Sequence, residues 1–186
     1  MQHSDVVNLY IIGFMGVGKS VVGRNVASAL GMTFIDSDKA IEETARMSIP
    51  SIFEKLGEGA FRKMERDFIE NGHPASGCVI SCGGGLPVEP GMSELLLSKG
   101  VVICLFASEK TILARTSATS KRPLLNVEDR ALKIRQLMEK RMPVYMNTGI
   151  GISTENRNLA EITSHVIHVY QGEAKRFADK KAESHP

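Results

Sequence analysis

Residues 13 to 20 read GFMGVGKS and follow directly on the apolar run Leu9-Tyr10-Ile11-Ile12. The octet fits G-x-x-x-x-G-K-[ST], with Gly13, Gly18, Lys19 and Ser20 in the fixed positions. Such a loop belongs between a strand and a helix. Its glycines let the backbone turn until N–H groups point at phosphate oxygens, and the helix that follows adds the positive end of its dipole. The residues that make the cradle are Gly13, Gly16, Val17, Gly18, Lys19, Ser20 and Val21. Lys19 supplies a point charge to the β- and γ-phosphates, and the Ser20 hydroxyl is of the kind that ligates Mg²⁺. The alternative is a glycine-rich turn with an incidental Lys-Ser. The strand-like segment before the octet and the helix-like run from Val21 to Leu30 argue against it.

Beyond this loop, short apolar runs alternate with longer amphipathic ones. The pattern predicts strands at 8–13, 32–36, 78–82, 101–106 and 150–154. It predicts helices at 19–30, 38–46, 50–56, 58–70, 90–98, 109–117, 128–142 and 157–168. This alternation predicts right-handed β-α-β units and a parallel sheet covered on both faces. Residues 1–170 read as one domain. The segment 171–186 is polar and mixed in charge, and is expected to be a frayed helix or disordered.

Bulk properties exclude several roles. The net charge of +2 comes with no block of Lys or Arg and no interleaving of aromatic and basic residues, so nucleic acid is not an expected partner. No apolar run nears the roughly 18 residues that a membrane span needs. The N-terminus has neither a basic region nor a long apolar core, so a cytoplasmic location is expected. Cys78 and Cys82 lie four residues apart on one predicted strand, a separation of about 13 Å that suits neither a disulfide nor a shared metal ion. With Cys104 on another strand, all three read as buried thiols. His165 and His168 have helical spacing but no evident ligating partner, and read as surface or satisfied histidines.

In a parallel sheet, ligands gather where the strands end. Asp36-Ser37-Asp38 follows the second strand: Asp36 is placed to hold a Mg²⁺-bound water, and Asp38 to reach an acceptor hydroxyl. The competing reading makes Ser37 or Asp38 a helix cap. Gly83-Gly84-Gly85 follows the third strand and can approach a ligand closely. Arg62 and Glu65 are i, i+3 neighbours on a predicted helix, and a solvated ion pair is the plain reading. After the fourth strand, Arg115 precedes a run of small polar residues ending in Lys121-Arg122, which reads as a charged flap or as an ordinary exposed loop.

Taken together, GFMGVGKS, Asp36-Ser37-Asp38, Phe61-Arg62-x-x-Glu65, Gly83-Gly84-Gly85, Arg122-Pro-Leu-Leu and Arg141-x-x-x-Tyr145 resemble the shikimate kinase family in order and approximate spacing, over residues 8 to about 169. The resemblance implies an α/β P-loop kinase of the nucleoside monophosphate kinase type, with a parallel five-stranded sheet flanked by helices and a mobile lid at about 116–127. It implies ATP and Mg²⁺ as cofactors, with ATP phosphorylating the 3-hydroxyl of shikimate on the route to chorismate. It also implies that Asp38 contacts that hydroxyl as its base, that Arg62 and Arg141 grip the carboxylate, and that Gly84 and Gly85 close the pocket. Arg122 becomes the lid arginine, Arg115 flanks the adenine, and Ser153 to Arg157 is where the adenine rests. A monomer is expected. Gluconate or another hydroxy acid is the alternative acceptor. A GTP switch is a poorer reading, because Asp-x-x-Gly is absent and Asn126-Val-Glu-Asp129 lacks the Lys of a guanine motif.

Overall fold

The computed structural model describes residues 6–116 and 129–183. Five strands, β1 (Asn8–Gly13), β2 (Thr33–Asp36), β3 (Cys78–Ser81), β4 (Gly100–Phe106) and β5 (Ile150–Ser153), form one sheet in the order β2-β3-β1-β4-β5. Every neighbouring pair is parallel. The predicted strands are all present, each within a residue of its expected ends. β1 lies at the centre, with Leu9 opposite Val79 of β3 on one side and Val101 of β4 on the other. All six of its residues are buried, as a strand covered on both faces requires.

The helices are α1 (Lys19–Leu30), α2 (Ser37–Ala45), α3 (Ile49–Asn71), α4 (Met92–Lys99), α5 (Glu109–Thr116), α6 (Arg130–Thr148) and α7 (Leu159–Glu183). α1 and α7 pack on each other and on the sheet, and α4 and α6 form a second such pair. The two helices expected at 50–56 and 58–70 are both present within α3, separated where Gly57 leaves the helical region at φ 82° and ψ 167°. Its start is set by Ser48, whose hydroxyl accepts from the Ser51 N–H at 3.3 Å, and by Pro50 in the first turn.

Two helices outrun their sequence-based ends. The pattern stops α6 at 142, before Pro143, yet the helix continues to Thr148. Tertiary anchoring outweighs the missing N–H: Tyr145 is fully buried, its hydroxyl donates to the Gly84 carbonyl, and Thr148 Oγ1 lies 2.7 Å from the Ser93 hydroxyl of α4. For α7 the pattern gives an end at 168, with a frayed or disordered segment beyond 170, whereas the helix runs to Glu183. The segment is rich in Ala, Lys, Glu and Arg, which favour helix. Buried Tyr170 ties it down by donating to Val7 O at 2.5 Å.

Tyr170→Phe keeps the ring but leaves the Val7 carbonyl without its donor. It is expected to lower stability by about 1–2 kcal/mol, read as a lower urea midpoint at unchanged slope.

Candidate active site

The phosphate loop spans the gap between β1 and α1. Gly13 has φ 134°, Gly16 φ 82° and Gly18 φ 96°, so three residues of the loop take a conformation that side chains disfavour. Lys19 folds back over the loop, its Nζ donating to Gly13 O at 2.9 Å and Phe14 O at 3.1 Å. The loop and the ammonium are thus fixed to one another by the chain itself.

Ser20, in the first turn of α1, donates from Oγ to Asp36 Oδ2 at 2.8 Å and lies 3.2 Å from the hydroxyl of buried Ser81. Asp36 is also the N-cap of α2, its other oxygen accepting from the Lys39 N–H at 3.5 Å. The cap is therefore Asp36 and not Ser37 or Asp38. The buried hydroxyl of Ser37 instead accepts from the Gly83 N–H at 2.9 Å and binds the β2 loop to the β3 loop. Asp38 is released from capping and stands beside Gly83. A Cβ at residue 83 would come within 2.5 Å of Asp38 Oδ1 and 3.0 Å of Glu65 Oε1. Burial raises the Asp38 carboxyl above its ordinary range, and the negative charge of Asp36 adds to the shift while Lys19 opposes it.

Arg62, on α3, faces three carboxylates. Nη1 donates to Glu65 at 2.7 Å and Nη2 to Glu58 at 2.8 Å. Nε lies 3.0 Å from Glu89, an ion-pair distance without hydrogen-bond alignment, and is buried. The spacing of Arg62 and Glu65 suggests a solvated pair, but Glu65 is 1% exposed. Its burial pushes the carboxyl up to about 7, against the pull of Arg62, and Asp38 and Glu89 push the same way. Gly85 leaves room for the guanidinium, since a Cβ there would sit 2.5 Å from Arg62 Nη1. Arg141 completes this side, with Nη1 3.4 Å from Gly84 O, next to the Tyr145 hydroxyl on the same carbonyl.

A second cleft opens on the far side of the phosphate loop. Gly16, Val17, Gly18 and Val21 form one wall, and Arg115, Thr154 and Arg157 stand opposite. Arg115 donates to the Thr154 carbonyl and hydroxyl, each at 3.0 Å. At the other end of α5, Glu155 accepts from the Ser108 N–H at 3.0 Å, from Thr111 Oγ1 at 2.7 Å and from the Ser108 hydroxyl. These bonds hold the Glu155 carboxyl down at about 2. α5 is thereby stapled at both ends to the segment that follows β5.

The structure thus brings Asp38, Arg62 and Arg141 to the Gly83–Gly85 loop, and lines a separate cleft with Gly16, Val17, Gly18, Val21 and Arg115. Lys19, Ser20 and Asp36 stand at the junction. Arg122 and most of the predicted lid lie outside the described residues. Sequence reasoning leaves Glu89, Ser81 and Thr154 unassigned. Nothing local marks Glu89 or Ser81, whereas Thr154 sits inside the stretch expected to hold a base.

A phosphate loop, a Ser–Asp pair beside it, a cleft along the loop and a cluster of arginine and carboxylates at the carboxyl ends of a parallel sheet define a P-loop kinase of small molecules. The profile of the shikimate kinase family matches residues 15–171. The shikimate kinase of Thermodesulfovibrio yellowstonii is 40% identical over 164 residues, covering 88% of this chain and 95% of the relative. The structure of shikimate kinase from Acinetobacter baumannii in complex with shikimate aligns with a TM-score of 0.85 at 33% identity, covering 91% of this chain and 95% of that one. The chain belongs to the shikimate kinase family. A gluconokinase from Sinorhizobium meliloti, 20% identical with a TM-score of 0.61 over the full length of both chains, shares the fold alone.

Two outcomes test this geometry. Gly83→Ala forces the Asp38 carboxylate aside, and a displacement of this order is expected to lower kcat by about 10²-fold in steady-state assay while the thermal melt stays cooperative. The raised Glu65 carboxyl gives a pH signature. The folded chain holds this proton more tightly than the unfolded one, so its contribution is complete below pH 4.5 and is lost as pH rises through about 7. Urea unfolding across that window is expected to show the wild type losing stability relative to Glu65→Gln.

Proposed function

We infer that this chain transfers the γ-phosphoryl of ATP to the 3-hydroxyl of shikimate, giving shikimate 3-phosphate and ADP. The observation that carries the reading is the convergence of Asp38, Arg62 and the Gly83–Gly85 loop beside the phosphate loop, in a member of the shikimate kinase family.

ATP lies with its phosphates in the loop and its base against Arg115 and the segment around Thr154 that Arg115 is bonded to. Lys19 is positioned to lend positive charge to the transferring phosphoryl. Arg62 and Arg141 flank the acceptor pocket and hold the shikimate carboxylate, for which a forked guanidinium is better shaped than an ammonium. This fixes the 3-hydroxyl beside Asp38. As the oxygen bonds to phosphorus and the bond to ADP breaks, Asp38 accepts the hydroxyl proton. Its raised pKa, produced by burial and by Asp36, makes it a better base than a solvated carboxylate.

Ser20 and Asp36 fit a divalent cation. They offer a hydroxyl and a carboxylate 2.8 Å apart, hard oxygen donors too few for a protein-only cage, as suits Mg²⁺, which keeps waters and phosphate oxygens. When bound, Mg²⁺ supplies charge neutralisation at the β- and γ-phosphate oxygens. The lid role of Arg122 rests on the sequence resemblance.

A coupled ADP-release assay with shikimate, quinate and gluconate tests the acceptor, and shikimate is expected to be the preferred substrate by kcat/KM. In the same assay, Asp38→Asn is expected to lower kcat by about 10²–10⁴-fold with little change in ATP binding. Wild-type turnover in that variant at saturating shikimate would overturn the assignment of Asp38 as base.

A further inference from the structure

We propose that Glu89 competes with the substrate carboxylate for Arg62 and thereby sets how weakly the acceptor binds. The proposal rests on the assignment of Arg62 to that carboxylate.

The three carboxylates around Arg62 are not equivalent. Glu65 is immovable: its side chain is 2% exposed, and it takes an aligned bond from Nη1 at 2.7 Å. Glu58 and Glu89 face the other edge of the guanidinium, formed by Nη2 and Nε, with side chains 64% and 34% exposed. A planar carboxylate takes two parallel bonds from such an edge. In the structure that edge is shared between two glutamates from different elements, and neither makes the two-pronged contact. The Nε proton in particular is buried and has no aligned acceptor, although Glu89 Oε1 stands 3.0 Å from the nitrogen. The donor is therefore covered without being satisfied.

Glu58 reaches Arg62 from one turn away on α3 and has open solvent to swing into. Glu89 differs, because its backbone is placed by the chain. It follows the short 3-10 turn at Leu86–Val88, and the next carbonyl, that of Pro90, accepts from Arg66 Nη2 at 2.6 Å. This bond keeps the loop, and with it the Glu89 charge, against the pocket. An incoming carboxylate meets one guanidinium already facing three carboxyl groups and has to displace the Glu89 side chain to take its edge. Glu89 thus acts as an internal rival that opposes binding of a carboxylate acceptor and favours its release.

The test measures steady-state kinetics against shikimate at saturating ATP for Glu89→Gln and Arg62→Lys. The amide keeps the shape of Glu89 but removes its charge. Shikimate KM is expected to fall roughly two- to fivefold, the size of one partly exposed ion pair, and to fall by more than ATP KM changes. The gain is expected to shrink at about 0.5 M salt, where screening weakens the rivalry in the parent enzyme. Glu89→Ser gives the same reading should the amide disturb the loop. A shikimate KM that is unchanged or higher in both Glu89 variants, with Arg62→Lys still raising it, overturns the rivalry and leaves the role of Arg62 standing. If Arg62→Lys leaves shikimate KM unaltered, the assignment of Arg62 falls, and the proposal falls with it.

Discussion

The arrangement depends on how the central strand ends. β1 is hydrogen-bonded on both edges, and at Gly13, its last residue, a Cβ would collide with the Leu105 carbonyl of β4. Only a residue without a side chain lets β1 stay paired to its end and then turn at φ 134° into the loop. Lys19 returns from the start of α1 to the carbonyls of Gly13 and Phe14 and ties the turn together. The phosphate loop is thus built on the end of the central, fully buried strand, and the other segments are arranged around it. β2 delivers Asp36 and Asp38 on one side, β3 delivers Gly83 to Gly85 beside them, and the end of β5 delivers Thr154 on the other flank.

The surroundings of Arg62 are governed by crowded carboxylates more than by open cationic charge. Asp38 and Glu65 border the same point next to Gly83, and both carboxyls are raised by burial. Arg62 holds the cluster together, and its nitrogens are engaged or covered before any ligand arrives. The cleft beside the phosphate loop is organised differently. Arg115 is oriented by the neutral Thr154, and the nearby Glu155 is held by hydroxyl and amide donors at the start of α5.

Most of the fold is legible in the sequence because its signals are local. Short apolar strands, amphipathic helices, the octet at 13–20 and the break at Gly57 depend on neighbouring residues alone. What the sequence hides depends on partners far along the chain. Pro143 looks like a terminator until Tyr145 is seen bonded to Gly84, and the polar segment beyond 170 looks unanchored until Tyr170 is seen bonded to Val7. The same holds in the site. Arg62 and Glu65 announce themselves by spacing, but the burial of Glu65 and the approach of Glu89 come from packing between α3 and the loop after β3. The grouping of Asp38 with Arg62 comes from the family resemblance, not from composition or periodicity.

The three thiols have a consequence of their own. Cys78 and Cys82 lie on and just after β3, and Cys104 lies on β4, so they occupy the two strands that flank β1, each with 1% exposure or less. Burial pushes the thiols up, that of Cys104 to about 11, which leaves little thiolate in the folded chain. Alkylating reagents have to wait for the middle of the sheet to part. The labelling of these sulfurs therefore reports on the opening of the two strands that flank the one carrying the phosphate loop, giving this enzyme an intrinsic chemical reporter of how readily the middle of its sheet comes apart.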